Sequence, residues 1–223
     1  MTFDADESGF RAPGQYVMIE TCGYRKPYQV SDFDSNRFTI VFPADDYGSA
    51  ELSELNVGDE VVFESGLGHG YSAETIPDEV CIVANGMGIP EMKSVARALL
   101  VLGKKCRLVL EYPSKQDIYM LDAFKELVSE IEVVTLDGSN GREGRAVDAV
   151  GSDDYVIAGG TLDMLKSLAS KVKAGQFSLS SNILAHSNSY DDCYLETTDG
   201  IKNCCEDGPV FDKNMIKWET LAV

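Results

Sequence analysis

The amino-acid sequence predicts a small antiparallel β-barrel, then an α/β unit with a parallel sheet, and finally an irregular C-terminal appendage. Residues 1–70 contain short apolar strands between turn residues, such as 16–19 and 37–42, which is typical of small barrels. After residue 78, apolar strands alternate with stretches of helical periodicity, which indicates βαβ units. No periodicity continues after Gln176. We therefore expect units at residues 1–75, 76–176 and 177–223.

The α/β unit can be followed element by element. Residues 79–84 form a compact apolar strand, and Asn85-Gly86-Met87-Gly88-Ile89-Pro90 separates it from a helical pattern. Further strands are expected at 106–112, 131–136 and 154–158, and helices at 91–102, 123–130 and 162–172. The last strand leads into a second glycine turn, Gly159-Gly160-Thr161.

Charge and composition exclude several functional classes. The 223 residues carry a formal net charge of −18 and have a pI near 4.4, so we expect no binding to nucleic acid or to anionic membranes. No window resembles a membrane span or a signal peptide, and the sequence predicts a cytoplasmic protein. In that compartment the six cysteines are not expected to form a disulfide framework.

Two glycine turns are candidate ligand sites. Gly86 and Gly88 follow one strand, and Gly159 and Gly160 follow another, so both pairs are expected at the carboxyl edge of the parallel sheet. Glycine lets the backbone approach a ligand, and the helix that follows offers unpaired N–H groups to a pyrophosphate. Tight packing of strand against helix is the alternative explanation for these glycines.

The barrel contains a second candidate site. Tyr24-Arg25-Lys26-Pro27-Tyr28-Gln29-Val30 places two cations beside a proline-fixed turn and an aromatic ring, which suits a flat anionic cofactor such as a flavin nucleotide. A solvated basic turn is the alternative. The loop Gly66-Leu67-Gly68-His69-Gly70-Tyr71 also exposes backbone, and His69 is expected to be structural or to face solvent.

These segments carry a family resemblance. Pro13-Gly14-Gln15-Tyr16-Val17-Met18 followed by Arg25-Lys26-Pro27-Tyr28 resembles the flavin domain of the ferredoxin–NADP reductase superfamily. The loop at 66–71, the turn at 85–90, Asp137-Gly138-Ser139-Asn140-Gly141-Arg142-Glu143-Gly144 and Cys205-Glu206-Asp207-Gly208-Pro209-Val210-Phe211 resemble the electron-transfer subunit of two-subunit, NAD-linked dihydroorotate dehydrogenases. The resemblance implies FAD in the barrel, a nicotinamide nucleotide on the α/β unit and a [2Fe–2S] cluster in a C-terminal loop.

Residue by residue, the resemblance implies two sets of contacts. Those expected to border FAD are Gly14, Lys26, Pro27, Tyr28, Gln29, Gly68 and Gly70. Those expected to border the nicotinamide nucleotide are Gly86, Gly88, Gly159 and Gly160. The expected partner is a catalytic dehydrogenase subunit, with a homo-oligomer as the alternative.

The chain departs from the family pattern at cofactor positions. Lys26 stands where the family has arginine, and Gln29 stands where it has serine. Ala158-Gly159-Gly160 replaces a Cys-Gly-Pro turn, and the four cluster-ligand positions fall on Ala185, Tyr190, Cys193 and Cys205. Because alanine cannot ligate iron, we expect no intact [2Fe–2S] cluster. Cys193, Cys204 and Cys205 remain candidate metal ligands, zinc with His186 being one alternative and unligated thiols another.

The sequence therefore predicts an electron-transfer flavoprotein subunit that passes electrons from NAD(P)H through FAD to a partner, as in pyrimidine biosynthesis. A cofactor-depleted paralogue that acts as a binding or regulatory subunit is the alternative. A flavin reductase with a free acceptor is a third possibility.

Overall fold

The computed structural model describes residues 1–21, 23–73, 76–183 and 193–221. Within them the chain forms a five-stranded antiparallel sheet, a seven-stranded mostly parallel sheet and a two-stranded hairpin. The predicted order of an antiparallel barrel-type unit followed by an α/β unit is confirmed.

The first sheet is an antiparallel half-barrel. Its strands are β1 (Thr2–Asp4), β2 (Tyr16–Thr21), β3 (Tyr24–Phe33), β4 (Arg37–Ile40) and β5 (Val62–Leu67), in the order β1-β4-β3-β2-β5, and helix α1 (Tyr47–Ser53) lies between β4 and β5. Strand β2 is buried on both faces. Val17 and Ile19 point into the barrel core, whereas Tyr16 and Met18 pack against Cys205 of the C-terminal region. The C-terminal region thus covers one face of the half-barrel.

The second sheet carries the α/β unit. Its elements are β6 (Glu79–Asn85), α2 (Gly88–Val101), β7 (Lys105–Tyr112), β8 (Glu130–Thr135), β9 (Arg142–Glu143), β10 (Tyr155–Gly159), α3 (Leu162–Lys171) and β11 (Ala174–Ser178). These strands run parallel in the order β11-β10-β6-β7-β8-β9. Strands β7, β8 and β9 follow on one side of β6, whereas β10 and β11 lie on its other side. In sheets of this kind, crevices are expected at the carboxyl ends of the two strands where the order changes, here β6 and β10.

The C-terminal region is built onto both units. Helix α4 (Ser180–Ile183) follows β11, strands β12 (Tyr194–Thr197) and β13 (Gly200–Asn203) form the hairpin, and β14 (Val210–Asp212) pairs antiparallel with β11. Strand β14 therefore extends the parallel sheet by one strand. Among the described residues, no helix is both long and apolar enough to cross a bilayer.

The predicted helix over residues 123–130 is wrong. The chain forms a 3-10 helix over Leu121–Phe124, which follows Met120 in the left-handed region at φ 57°. Its turn closes through i to i+3 hydrogen bonds, such as that from the Ala123 N–H to the Met120 carbonyl at 2.9 Å. The apolar spacing that favoured an α-helix is used instead to bury Phe124 completely against the core of the α/β unit.

Candidate functional site

A crevice of about 380 Å³ lies between the half-barrel and the α/β unit. Strand β3, the segment after β4, the turn before α2 and the start of α4 line it, through Lys26, Pro27, Tyr28, Gln29, Val41, Phe42, Pro43, Asp45, Asp46, Met87, Ser180 and Ser181. The fold therefore brings Lys26-Pro27-Tyr28-Gln29 of the predicted flavin site against the Gly86-Met87-Gly88 turn of the predicted nucleotide site.

Tyr28 forms the apolar floor of this crevice. Its ring contacts the edge of Phe42 at a centroid distance of 5.2 Å, and only 5% of the residue is exposed. Its hydroxyl is buried and has no hydrogen-bond partner among the described residues. Burial, followed by the nearby carboxylates of Asp46 and Asp45, raises the pKa of Tyr28 to about 12. The crevice thus contains a protonated phenol with an unused donor, which normally finds a partner.

Lys26 is the cation of the crevice, and Asp46 holds it. The Lys26 ammonium lies 5.6 Å from the Tyr28 ring centroid and forms an ion pair with Asp46 Oδ2. Asp46 is also the N-cap of α1, where Oδ1 accepts the Ser49 N–H at 2.9 Å. The hydrogen bond from Lys26 lowers the pKa of Asp46. Both carboxylate oxygens of Asp46 therefore have partners supplied by the chain.

Gln29 connects the crevice to a buried carboxyl group. Its Nε2 donates to Glu91 Oε2 at 3.2 Å and to Ser181 Oγ at 3.1 Å. Glu91 Oε2 also accepts from Ser178 Oγ at 3.0 Å and Ser180 Oγ at 2.9 Å, whereas its Oε1 is buried without a partner among the described residues. Burial raises the pKa of Glu91 to about 7, against the lowering effect of the serine hydrogen bonds.

Sequence reasoning missed Glu91. It directly follows Pro90 near the start of α2, where an exposed acidic residue is common. A signal was nevertheless available. Glu91 precedes Val95 and Leu99 by four and eight positions, and helical residues at this spacing share one face. All three residues are buried.

The two glycine turns of the α/β unit pack against each other. A Cβ on Gly88 would lie 2.1 Å from the Gly159 carbonyl carbon, and one on Gly160 would lie 2.1 Å from Asn85 Oδ1. The Asn85 side chain spans the gap between these turns. It accepts the Thr161 N–H at 2.8 Å and donates to Glu111 Oε1 at 2.9 Å. The glycines therefore permit close contact of chain with chain, and the gap between β6 and β10 is filled by Asn85.

Gly86 lies on the open side of the first turn. Its φ is +47°, and a Cβ at this position would meet nothing within 4 Å. The adjacent Met87 lines the crevice. Space for a ligand at the start of α2 is therefore beside Gly86.

The other predicted glycines lie where the half-barrel meets the C-terminal region, outside the crevice. A Cβ on Gly68 would lie 2.4 Å from the Gly208 carbonyl oxygen, and one on Gly14 would lie 2.7 Å from Val210. A Cβ on Gly70 would lie 2.1 Å from the Pro13 carbonyl oxygen. Beside them His69 Nδ1 is 2.7 Å from the Glu206 carbonyl oxygen. Gly14, Gly68 and His69 therefore seat the C-terminal region on the barrel, whereas Gly70 packs against the Pro13 segment of the barrel itself.

Cys204 and Cys205, two of the candidate metal ligands, belong to this C-terminal region. Cys205 lines a second cavity of about 420 Å³ with Tyr16 and Met18, and Cys204 is buried beside it. Burial raises the pKa of Cys204 to about 12 and that of Cys205 to about 11, so both are thiols at neutral pH. No metal-binding group of three or more His, Cys, Asp or Glu side chains occurs in the described part of the chain. Ala185, His186 and Tyr190 lie outside it.

An antiparallel half-barrel, a parallel α/β unit and a crevice between them form the two-domain architecture of the ferredoxin–NADP reductase type. A solved chain of an NADH-dependent reduced ferredoxin–NADP oxidoreductase, from a study of flavin-based electron bifurcation, has this architecture. It superposes with a TM-score of 0.83 and 27% sequence identity, covering 99% of this chain and 85% of that chain.

Curated proteins narrow the resemblance further. The electron transfer subunit of dihydroorotate dehydrogenase B (NAD(+)) from Clostridium perfringens is 26% identical over 207 residues, 89% of this chain and 84% of that protein. The subunit of the same name from Caldanaerobacter subterraneus is 29% identical over 215 residues, 89% of this chain and 84% of that protein. No family profile matches the chain. The resemblance predicted from the sequence is thus confirmed along most of its length.

Proposed function

We propose that this chain is an electron-transfer flavoprotein subunit that holds FAD in the crevice between the half-barrel and the α/β unit. In this proposal electrons arrive from NAD(P)H and leave to a catalytic dehydrogenase subunit. The observation that carries the proposal is a crevice lined by Lys26 and by Tyr28, whose buried hydroxyl has no hydrogen-bond partner among the described residues. The similarity to subunits named for electron transfer supports the same function.

The residues of the crevice fit a flavin nucleotide. Tyr28, Val41, Phe42, Pro43 and Met87 offer the apolar walls that a flat ring system requires. The Tyr28 hydroxyl is a donor that a polar ligand atom would satisfy, and Lys26 is a cation suited to a phosphate. When bound, FAD would supply the hydride-accepting and electron-releasing chemistry that protein side chains lack.

The chain contributes a fixed polar wall to this site. The two hydrogen bonds that Gln29 Nε2 donates go to Glu91 and Ser181. Its carbonyl oxygen is therefore the group that Gln29 can offer to a ligand in the crevice. Glu91 and Ser181 act as positioning residues because they set the orientation of that amide.

The donor nucleotide is proposed to approach on the Gly86 side of the crevice. The gap between the two glycine turns is closed by Asn85, whereas the space beside Gly86 is open. The start of the 14-residue helix α2 lies here and favours a negatively charged group. Such an approach would bring the nicotinamide nucleotide to the flavin from the α/β side.

The proposed partner is a dehydrogenase catalytic subunit of the dihydroorotate type. The curated relatives are named as electron transfer subunits of dihydroorotate dehydrogenase B, which implies a second, catalytic subunit. A complex of several copies of this chain is the alternative. Co-expression with such a catalytic subunit, followed by size-exclusion chromatography, separates the two arrangements.

A cofactor-free binding subunit is the second candidate function. It is favoured because two groups that could bind an anion already have partners within the chain. Lys26 forms an ion pair with Asp46, and the Thr161 N–H donates to Asn85 Oδ1. In this case the crevice would be a relic of a flavin site, and the fold would serve to bind a partner.

The visible spectrum of the purified protein tests both functions. A flavin spectrum that bleaches under anaerobic conditions on addition of NADH or NADPH is expected for the electron-transfer subunit, and comparison of the two donors identifies the preferred nucleotide. A featureless spectrum that stays featureless after incubation with FAD and desalting would leave only the binding subunit.

A further inference from the structure

Negative charge predominates in the crevice that we assign to the flavin. Among its described lining residues Lys26 is the single cation; Asp46 is paired with it, and Asp45 lines the same crevice. A flavin dinucleotide brings a diphosphate to this site. The acidic residues therefore oppose the same part of the ligand that Lys26 attracts.

Asp46 is held in place from two directions. Its Oδ1 accepts the Ser49 N–H at 2.9 Å, and the Ser49 hydroxyl lies 3.2 Å from the Asp46 N–H, which completes a capping box. Its Oδ2 is paired with the Lys26 ammonium. The cap already holds the Asp46 side chain in one conformation. Pairing its second oxygen with Lys26 therefore costs little additional side-chain entropy.

We propose that Asp46 competes with the ligand's phosphate groups for Lys26 and thereby reduces the preference of the crevice for FAD over an unphosphorylated flavin. The proposal rests on the flavin function given above. A phosphate that binds Lys26 must share the ammonium with Asp46 or displace it, and in both cases two negative groups are brought together. Riboflavin, which has the same ring and no phosphate, does not meet this opposition.

The test is to compare the affinities for FAD and riboflavin in the wild type and in Asp46→Asn. Asparagine is as good an N-cap as aspartate, so the variant keeps α1 capped while it removes the negative charge that is paired with Lys26. We expect FAD to bind about fivefold more tightly to the variant, the size expected for release of one partly exposed ion pair and one repulsion. Riboflavin affinity should change by less than about twofold, since its binding involves no phosphate. Quenching of flavin fluorescence measures both constants.

Asp45→Asn is the matched control, because it removes the same charge from the same crevice while the ion pair of Lys26 is with Asp46. It should raise FAD affinity by less than half as much as Asp46→Asn. In a Lys26→Gln background, Asp46→Asn should give less than half the wild-type gain, since only the repulsion of the phosphate is relieved and no ion pair is released.

Equal gains from Asp45→Asn and Asp46→Asn would overturn the proposal and show a general charge effect. An equal gain for riboflavin, or no gain for FAD, would also overturn it. Wild-type binding of FAD reports separately on the flavin function: FAD binding without an Asp46 effect refutes only this inference, and no FAD binding to either protein refutes both. FAD binding to Asp46→Asn but not to the wild type would support the inference in its strongest form.

Discussion

Replacing Glu91 by glutamine should change how the stability of this protein depends on pH. Glu91 is fully buried, and its carboxyl group is surrounded by the hydroxyls of Ser178 and Ser180 and the amide of Gln29. Burial raises its pKa from the ordinary 4.5 to about 7. The folded state therefore binds a proton that the unfolded chain has already released between these two values.

The sign and size follow from this difference. The stabilising contribution of the protonated carboxyl is fully present below pH 4.5 and is lost as the pH rises through about 7. At about 1.4 kcal/mol for each pH unit, the wild type should lose about 2–3 kcal/mol between pH 5 and pH 8 from this group. Glutamine stays neutral over the whole range, so the free energy of unfolding of Glu91→Gln should lack this component.

Urea unfolding of the wild type and Glu91→Gln at pH 5, 6, 7 and 8 measures the effect. The difference in free energy of unfolding between variant and wild type should grow by about 2–3 kcal/mol in favour of the variant as the pH rises. Glu126→Gln, which removes a solvent-exposed carboxylate, is the control and should parallel the wild type. Parallel curves for Glu91→Gln and the wild type would refute the reasoning, because they would mean that Glu91 is not buried as a neutral acid.

Three further changes test other parts of the account. Gly88→Ala should lower the free energy of unfolding by about 2–3 kcal/mol, because the new methyl group meets the Gly159 backbone. In the control Gly48→Ala a Cβ has ordinary contacts, and its free energy of unfolding should stay within about 1 kcal/mol of the wild type in the same urea assay. Asn85→Ala should cost about 2 kcal/mol, since the Thr161 N–H and Glu111 Oε1 lose their partner; no loss in urea unfolding would show that the contact is dispensable. Tyr28→Phe should raise the stability of the ligand-free protein by about 1 kcal/mol, because it removes a buried hydroxyl that has no partner among the described residues. The same change should weaken FAD binding about fivefold. An unchanged affinity for FAD in fluorescence titration would mean that the hydroxyl contacts no ligand.

Local sequence patterns were sufficient to predict several of the main strands and helices. The run after the Pro13-Gly14 turn located β2, and period-two alternation located β4. The apolar strand before Asn85 and the periodic helix after it located β6 and α2. The segment 24–30 was singled out by its two cations and its ring. The proline-fixed turn expected there is wrong, because these residues belong to strand β3, whose pairing with β2 continues through Pro27. Lys26, Pro27, Tyr28 and Gln29 of that strand line the crevice. These features depend on residues close together in the chain.

Features that depend on distant residues were not predicted. Lys26 and Asp46 are 20 positions apart, and Gln29 and Ser181 are 152 positions apart, so neither contact leaves a trace in local sequence. The helix expected at 123–130 failed for a related reason. Its apolar spacing is satisfied by a 3-10 turn that buries Phe124 against the rest of the core, and tertiary packing decided between the two conformations.

The function of the glycines was also outside the reach of local patterns. Gly88 lies in the turn after β6 and Gly160 in the turn after β10, and each permits a close contact with another part of the chain. A glycine that admits a ligand and a glycine that admits a neighbouring backbone have the same sequence signature. Only the position of Gly159 and Asn85 in space distinguishes them.

The location of the flavin is tested most directly by an FAD fluorescence titration of the wild type, Lys26→Glu and the control Lys105→Glu, whose lysine is exposed at the opposite end of the parallel sheet. We expect the wild type and Lys105→Glu to bind FAD with similar affinity and Lys26→Glu to bind more than about tenfold more weakly, because three carboxylates would then face the diphosphate. Equal affinity of all three proteins for FAD would place the flavin elsewhere and contradict the account.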